Sequence, residues 1–549
     1  HVDMVVPCVV TAGVTNRVTL LGRRLPGGRP SSIQGGDGIL LEQAQVDVVA
    51  PAAATPGSTP WPVDRLRRAA ASAWSPWTWT WATTNGPSNP VLLGLTSLTV
   101  VAQPLPDANG IASRVPIVVP VTPPVDFGGW FASPSSGVTF DAKKGDTWWI
   151  EVVGERLGQV VDPLVLVQRL DSSAGKTNAW TDVTELAELD SNPASAELNV
   201  ASRDAAGRFE APQDGRYRVL VRDAFNPLPT SARRPFRLTL RRPSPDLRAW
   251  AWAQPPPKSN NDDRRAHATS TVLRRGGTLP LRVAISRLEG LEGPVDIVAS
   301  GLPKGVTAPT ARIPSGQSSA TLLLTTADDA PAATFQLVLK ASAIVASNRI
   351  ERTVATGGVP WPVADFNQEP IPSRLHQSLH VGIAPESEPV SVAATGTDVI
   401  EAKAGGKLSI PLRIQRRYEY TAAFSLKPSG HPALEKAKEV SVPEKATNAV
   451  AEIVLSEAAL PEGEHLLWLQ GQAAGKYRNQ PEAVAAAQAS LKVAKDAVAS
   501  ATASDKPQAE ERAKAAEAAL KSAEERAKPR DVTLGVWSAP FRVRILPAK

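Results

Sequence analysis

The sequence predicts a mainly β protein of tandem β-sandwiches, with an antiparallel α-helical hairpin inserted in the last of them. Three observations carry this. Apolar and polar residues alternate strictly in many short segments, the period-two signature of a strand with one buried face. These segments recur at short intervals between Gly, Pro, Asp and Ser clusters. Helical periodicity is almost absent before residue 480. The alternation is plain in Phe236, Leu238 and Leu240 against Arg237, Thr239 and Arg241; in Tyr217, Val219 and Val221 against Arg216, Arg218 and Arg222; and in Phe541, Val543 and Ile545 against Arg542 and Arg544. The arginines of such strands are expected on the solvent face of antiparallel sheets.

The chain has 549 residues, enough for three to four domains at roughly 150 residues each. Proline-rich joints at 51–62, 104–124, 243–257 and 360–372 divide it into four regions: 1–99, a β-rich segment with a dense Trp run; 100–243, a sandwich; 244–370, a second; and 371–549, a third that carries the helices. The last two regions repeat each other. Gly276-Gly277-Thr278-Leu279-Pro280-Leu281-Arg282-Val283 resembles Gly405-Gly406-Lys407-Leu408-Ser409-Ile410-Pro411-Leu412-Arg413-Ile414, and Pro331, Phe335, Leu337 and Leu339 match Pro461, His465, Leu467 and Leu469. Two blocks at one offset argue for tandem copies of an Ig-like domain.

The helical element spans 481–528. Val484, Leu491 and Val498 recur every seven residues with Ala487, Ala494 and Ala501 three positions after each, an a/d seam. A second seam follows Pro507 with Ala509, Ala513, Ala516, Leu520, Ala523 and Ala527. Alanine-rich seams let two helices approach closely, and Pro507 suits a first helical turn, where no N–H is needed. Strand patterns on both sides, Leu466-Leu467-Trp468-Leu469 and Val532-Thr533-Leu534-Gly535-Val536-Trp537, make the pair an insertion that projects from a β domain. Val484, Leu491, Val498 and Leu520 are the expected contact residues of this arm, within itself or toward a neighbouring subunit.

Region 100–243 carries three ordered blocks: Phe140-Asp141-Ala142-Lys143-Lys144-Gly145-Asp146-Thr147-Trp148-Trp149-Ile150-Glu151-Val152, then Asp162-Pro163-Leu164-Val165-Leu166, then Phe209-Glu210-Ala211-Pro212-Gln213-Asp214-Gly215-Arg216-Tyr217-Arg218-Val219. Together they resemble the bacterial pre-peptidase C-terminal (PPC) domain. The flanking regions resemble the Ig-like repeats of large secreted bacterial proteins that carry it. The resemblance implies a β-sandwich and an extracytoplasmic location in the periplasm, at the cell surface or in the medium. Some relatives bind calcium through acidic loops. Separately from that resemblance, Asp162, Asp204 and Asp214, with Asp171 and Asp223, could line loops at one end of this sandwich and are weak calcium candidates, against turn formation by Asp.

Composition excludes several classes. Lys+Arg 60 against Asp+Glu 54 is a mild excess spread along the chain, whereas nucleic-acid binding needs a basic face. The single cysteine, Cys8, rules out an internal disulfide and a Cys-based zinc site. No run of about 18 apolar residues spans a membrane. The start at His1 suggests a processed or incomplete chain. Gly175-Lys176-Thr177 lacks the earlier glycine of a phosphate loop, since Leu170 stands there. His376 and His380 lie four apart without a third ligand, Asp262-Asp263 reads as a solvated pair, and no Gly-x-Ser-x-Gly elbow occurs, so no catalytic constellation, cofactor or metal site is expected.

Four of the 14 tryptophans, Trp74, Trp77, Trp79 and Trp81, fall within eight residues. Trp77, Trp79 and Trp81 share one face of a strand, as a core face, a protein interface or a glycan-stacking row. The sequence is therefore expected to encode a non-enzymatic structural or scaffolding subunit of an extracytoplasmic assembly that contacts other protein subunits. A polysaccharide- or polymer-binding accessory of secreted hydrolases is the alternative.

Overall fold

The computed structural model describes residues 1–35, 38–52, 77–105, 116–131, 135–171, 179–188, 192–194, 198–225, 234–255, 263–376, 378–396 and 399–548. The chain is mostly β, arranged in many sheets, and the described residues contain two α-helices. Trp74, Gly175-Lys176-Thr177 and Asp262 lie outside the described residues, as do parts of the 51–62, 104–124 and 243–257 joints.

At the start of the chain, Val2–Val6, Thr15–Gly22, Leu40–Val49 and Arg29–Gln34 form a four-stranded sheet in that spatial order, and Val9–Thr11, Val91–Thr96 and Trp77–Trp79 form a three-stranded one. Val5, Leu20 and Val48 from the first sheet are buried with Val10 and Leu93 from the second.

Next, two five-stranded sheets share a core. One orders Thr99–Ala102, Val125–Trp130, Pro235–Arg241, Thr147–Val153 and Ala206–Glu210; the other orders Ile117–Pro120, Ser136–Ala142, Gly215–Asp223, Pro163–Asp171 and Ala179–Leu186. Phe127, Ile150, Phe209 and Leu238 of the first pack with Val138, Phe140, Val165, Tyr217 and Val219 of the second. The three sequence blocks that carry the family resemblance meet here. Phe140 pairs across the sheet with Tyr217, and Trp148 pairs with Phe209. The Tyr217 hydroxyl, at the end of a fully buried side chain, donates to Gln213 O at 2.6 Å, so burial of the ring, worth about 1.5–3 kcal/mol, leaves no orphaned polar atom.

In each of the last two regions two sheets share a core. In the third, Val306–Thr307, Ser319–Thr326, Thr278–Leu288, Asp246–Ala253, Ala355–Gly358 and Arg374–His376 form one sheet; Val272–Arg275, Leu379–Ser387, Ala333–Val345, Val295–Ser300 and Ala311–Ile313 form the other. In the fourth, Val390–Ala394, Lys407–Arg416 and Asn448–Val454 face a sheet of Val399–Lys403, Phe541–Leu546, Gly463–Tyr477, Phe424–Ser429 and Val440–Val442. The repeated blocks occupy matching places. Thr278–Leu288 pairs antiparallel with Ser319–Thr326, and Lys407–Arg416 pairs the same way with Asn448–Val454.

Two sequence expectations need correction. The joint drawn at 370/371 falls before Leu379–Ser387, yet that strand pairs with Val272–Arg275 and Ala333–Val345 and buries Leu379, Val381 and Ile383 in the third core. The core changes between Ile383 and Val390. Secondly, the arginine face of Pro235–Arg241 is not open to solvent. Thr239 is buried, Arg237 pairs with the buried Asp126, and Arg241 reaches Glu289 of the third region. Alternation reports which face is more apolar; it is silent about a neighbouring domain that covers the other face. Arg542 and Arg544 are exposed, as expected.

The helices, α1 (Pro481–Ser500) and α2 (Lys506–Arg526), are inserted between Gly463–Tyr477 and Arg530–Trp537. Those two strands pair from Gln470↔Trp537 to Tyr477↔Arg530, so the insertion rises from the end of a two-stranded ribbon. Neither helix is long and apolar enough to cross a membrane.

Candidate functional site

The chemistry-bearing side chains gather at the contacts between regions and at the base of the helical insertion. Between the second and third regions, Glu151 on Thr147–Val153 accepts from Arg156 Nη1 at 2.8 Å and from Arg248 Nη2 at 2.7 Å. Arg248 lies on Asp246–Ala253 of the third region, so one carboxylate ties two regions together. Burial alone would push the Glu151 carboxyl up, but the Arg156 and Arg248 guanidiniums outweigh it and hold the group well below the usual carboxylate range.

Arg156, 2% exposed, is balanced on its other side by Asp204. That carboxylate accepts the backbone N–H groups of Gly154, Glu155 and Arg156 at 2.8, 2.7 and 3.0 Å and Arg156 Nε at 2.7 Å. It thereby satisfies the start of the short 3-10 turn Glu155–Leu157. Beside this network Leu198 and Val200 pack against Trp250, Trp252 and Ala284. Nearby, Glu289 accepts both terminal nitrogens of Arg241 and the Ser244 N–H, a bidentate pair whose carboxylate side chain is 2% exposed.

The other contacts are built differently. Between the first and second regions the seal is apolar: Met4, Val6 and Leu21 bury Trp130, and Cys8 packs with Val153 and Leu157. The Cys8 thiol donates to Phe236 O at 3.2 Å, and burial pushes it up to about 12. Gly128 is needed there, because a Cβ would stand 2.4 Å from Pro7 Cβ. Between the third and fourth regions Arg417 reaches Asp328 at 2.6 Å, Ser391 Oγ at 2.9 Å and Glu388 O at 2.8 Å, while Ser391 Oγ donates to Gly276 O at 2.7 Å. An open pocket of about 280 Å³ lies beside them, lined in part by Thr326 and Arg413.

At the base of the insertion Arg478 donates through Nε to Ala527 O, just past the end of α2, and through NH1 to Glu419 at 3.1 Å. A cation there also complements the negative end of the helix dipole. Tyr477 meets Tyr418 edge to face at 6.0 Å, and Tyr418 accepts the Ser387 N–H at 2.9 Å. The arm base is therefore linked side chain by side chain to the contact between the third and fourth regions. Gln480, with φ 49°, turns the chain from ribbon into helix, and Pro481 opens α1. Val484, Ala487, Leu491, Ala494 and Val498 are half-buried between mostly exposed neighbours, as are Ala509, Ala513, Ala516 and Leu520 on α2; Ala523 and Ala527 are buried.

The remaining expected site residues divide clearly. Trp77, Trp79 and Trp81 are half-buried and pack against the first core, with Trp77–Trp79 paired to Val91–Thr96; they form no open row. Asp204 is saturated by backbone and guanidinium donors as described. Asp214 accepts the Lys144 N–H at 2.8 Å, and the Asp162 N–H donates to Asp223. These aspartates shape turns and strand ends, and among the described residues no group of three or more His, Cys, Asp or Glu stands together as a metal site. His376 and His380 belong to different sheets.

Glu151, Arg156, Arg248 and Glu289 were not singled out by the sequence. One signal was available. In Asp246–Ala253 the run Leu247-Arg248-Ala249-Trp250-Ala251-Trp252 is apolar on both faces, which marks a strand covered on both sides, and Arg248 lies on the face of Trp250 and Trp252.

No protein-family model matches the chain, and no curated protein matches it. Among solved structures it is similar to the pre-peptidase C-terminal domain of a collagenase from Bacillus anthracis, at 11% identity over 24% of this chain and 97% of that one, with a TM-score of 0.15.

Proposed function

We propose that this protein is a non-catalytic structural or scaffolding subunit of an extracytoplasmic bacterial assembly, acting through protein–protein contacts. In this reading the facing sheets are tandem Ig-like and PPC-like β-sandwiches, and α1 and α2 form a coiled-coil hairpin projecting from the last. The observation that carries it is the use of buried charge. Glu151, Arg156, Asp204, Arg248, Arg241 and Glu289 neutralise one another across or beside a contact between regions, which suits a chain that holds its domains in fixed relation. Charge spent this way is not available for acid–base work on a substrate. The arm, braced by Arg478 and coupled to the neighbouring contact through Tyr477 and Tyr418, is the contact element such a scaffold would present.

The test is the native particle. Deleting 481–528 leaves Tyr477 and Arg530 paired, so the ribbon can close with a short turn. Particle size in native extracts, read by mass photometry after affinity capture, is expected to fall by more than the mass of the deleted segment. A particle of unchanged stoichiometry overturns the scaffold-arm reading.

A further inference from the structure

Near the tip of the insertion α1 and α2 frame an open groove of about 720 Å³, walled by Ala489, Val493, Ala497 and Ala509. Its wall is unusual for a solvated helix. The α1 residues that line it, Ala489, Ser490, Val493, Ala494 and Ala497, carry no charge, and Val493 is 69% exposed. The outward side of α2, by contrast, carries Glu510, Glu511, Lys514, Glu517 and Lys521. A helix with apolar surface on more than one side needs cover on more than one side; α2 covers one side of α1, and the groove is the uncovered remainder.

The charges at the groove's rim say what fits. Two charged residues line it, Asp505 and Arg512, seven positions apart and so on one face of α2. Arg512 has no ion pair among the described residues, and the Asp505 carboxylate accepts from Thr502 Oγ1 at 2.5 Å. Gln508 and Ala509 lie midway between them. An antiparallel partner related by a two-fold axis through that midpoint places its Arg512 level with Asp505 of the first chain, and its Asp505 level with Arg512. The face is its own electrostatic complement, as an isologous contact requires.

We propose that the occupant of this groove is the arm tip of a second copy of the chain, each tip seated reciprocally against the other, so that two arms pair as a four-helix bundle locked by two reciprocal Asp505–Arg512 pairs. This rests on the scaffold-arm reading and names the arm's partner.

The experiment is sedimentation of the purified full chain with three variants. The wild type is expected to form a concentration-dependent dimer. Val493→Glu abolishes it. Asp505→Arg and Arg512→Asp, each of which sets like charges face to face twice, weaken it about tenfold or more. Mixing Asp505→Arg with Arg512→Asp restores association as a heterodimer, because both cross pairs are then opposite in sign. Asp505 makes no side-chain cap bond to α2, and the rescue on mixing separates lost pairing from lost folding. A wild type that stays monomeric at about 100 μM, a dimer indifferent to all three variants, or single variants that do not rescue each other overturns the proposal. A monomeric chain whose native particle still shrinks when 481–528 is deleted overturns this pairing alone and leaves the scaffold reading standing.

Discussion

Replacing Glu151 by Gln removes the carboxylate that joins the second and third regions while preserving its shape. Arg248 then loses its ion pair, and Arg156 keeps Asp204 at 2.7 Å. Removing one partner of a fully buried pair costs roughly 3–5 kcal/mol. Here the side chains of Glu151 and Arg248 are 14% and 20% exposed, so water recovers part of the loss, and about 2–3 kcal/mol is the expected cost to the local contact. Because a multidomain chain does not unfold in one step, the assay is native-state hydrogen exchange of peptides covering Asp246–Ala253. A change of that size speeds exchange about 30- to 150-fold if those amides exchange through opening of the contact. The cycle is closed with Arg248→Met and the double variant, whose effects should be non-additive by about 1–2 kcal/mol. Additivity within roughly 0.5 kcal/mol would refute the claim that this pair holds the regions together.

The same carboxylate fixes a pH dependence. Its folded-state value is depressed below the ordinary 4.5, so its stabilisation is full above about pH 4.5 and is lost as the pH falls through the lower folded value; the ratio of exchange rates in Asp246–Ala253 between Glu151→Gln and wild type, compared at each pH, should narrow only in acid, and a constant ratio contradicts this. The Cys8 thiol, pushed from 9.0 to about 12 and buried, should resist iodoacetamide at pH 8 in the folded protein, its thiolate fraction being roughly a thousandfold lower than ordinary; rapid labelling seen by intact mass would show that the first contact opens. Arg478→Ala should cost about 0.5–1.5 kcal/mol at the arm base, seen as faster hydrogen exchange confined to the last turn of α2, and unchanged exchange there removes Arg478 as a brace.

Period-two alternation made most strands legible, because a strand in a sheet exposes and buries successive residues whatever surrounds it. Phe541, Val543 and Ile545 are buried and Arg542 and Arg544 exposed, as that pattern demands. The seven-residue spacing of Val484, Leu491 and Val498 coincides with the half-buried face of α1. The contacts between regions were not legible. Arg237 and Arg241 read as solvent residues on one strand, whereas Arg237 pairs with the buried Asp126 of the neighbouring strand and Arg241 with Glu289 of the third region. Asp204 reads either as a weak calcium candidate or as a turn former, and in the structure it is the acceptor for three consecutive N–H groups. The partners of Asp204 and Arg241 lie 48 to 50 residues away in sequence and that of Arg237 lies 111 away, and no local pattern encodes such distances.

The sequence by itself determined the mainly β character, the position and seam of the two helices, and the slight positive charge of +6, all of which follow from local periodicity and composition. Only the tertiary structure decided which charges are buried against each other, that the third core closes with Leu379–Ser387, and that the Trp run leans on the first core. The physical reason is that burial of a polar or second apolar face is set by what packs on it from elsewhere in the chain, whereas the first face is chosen by the segment's own pattern.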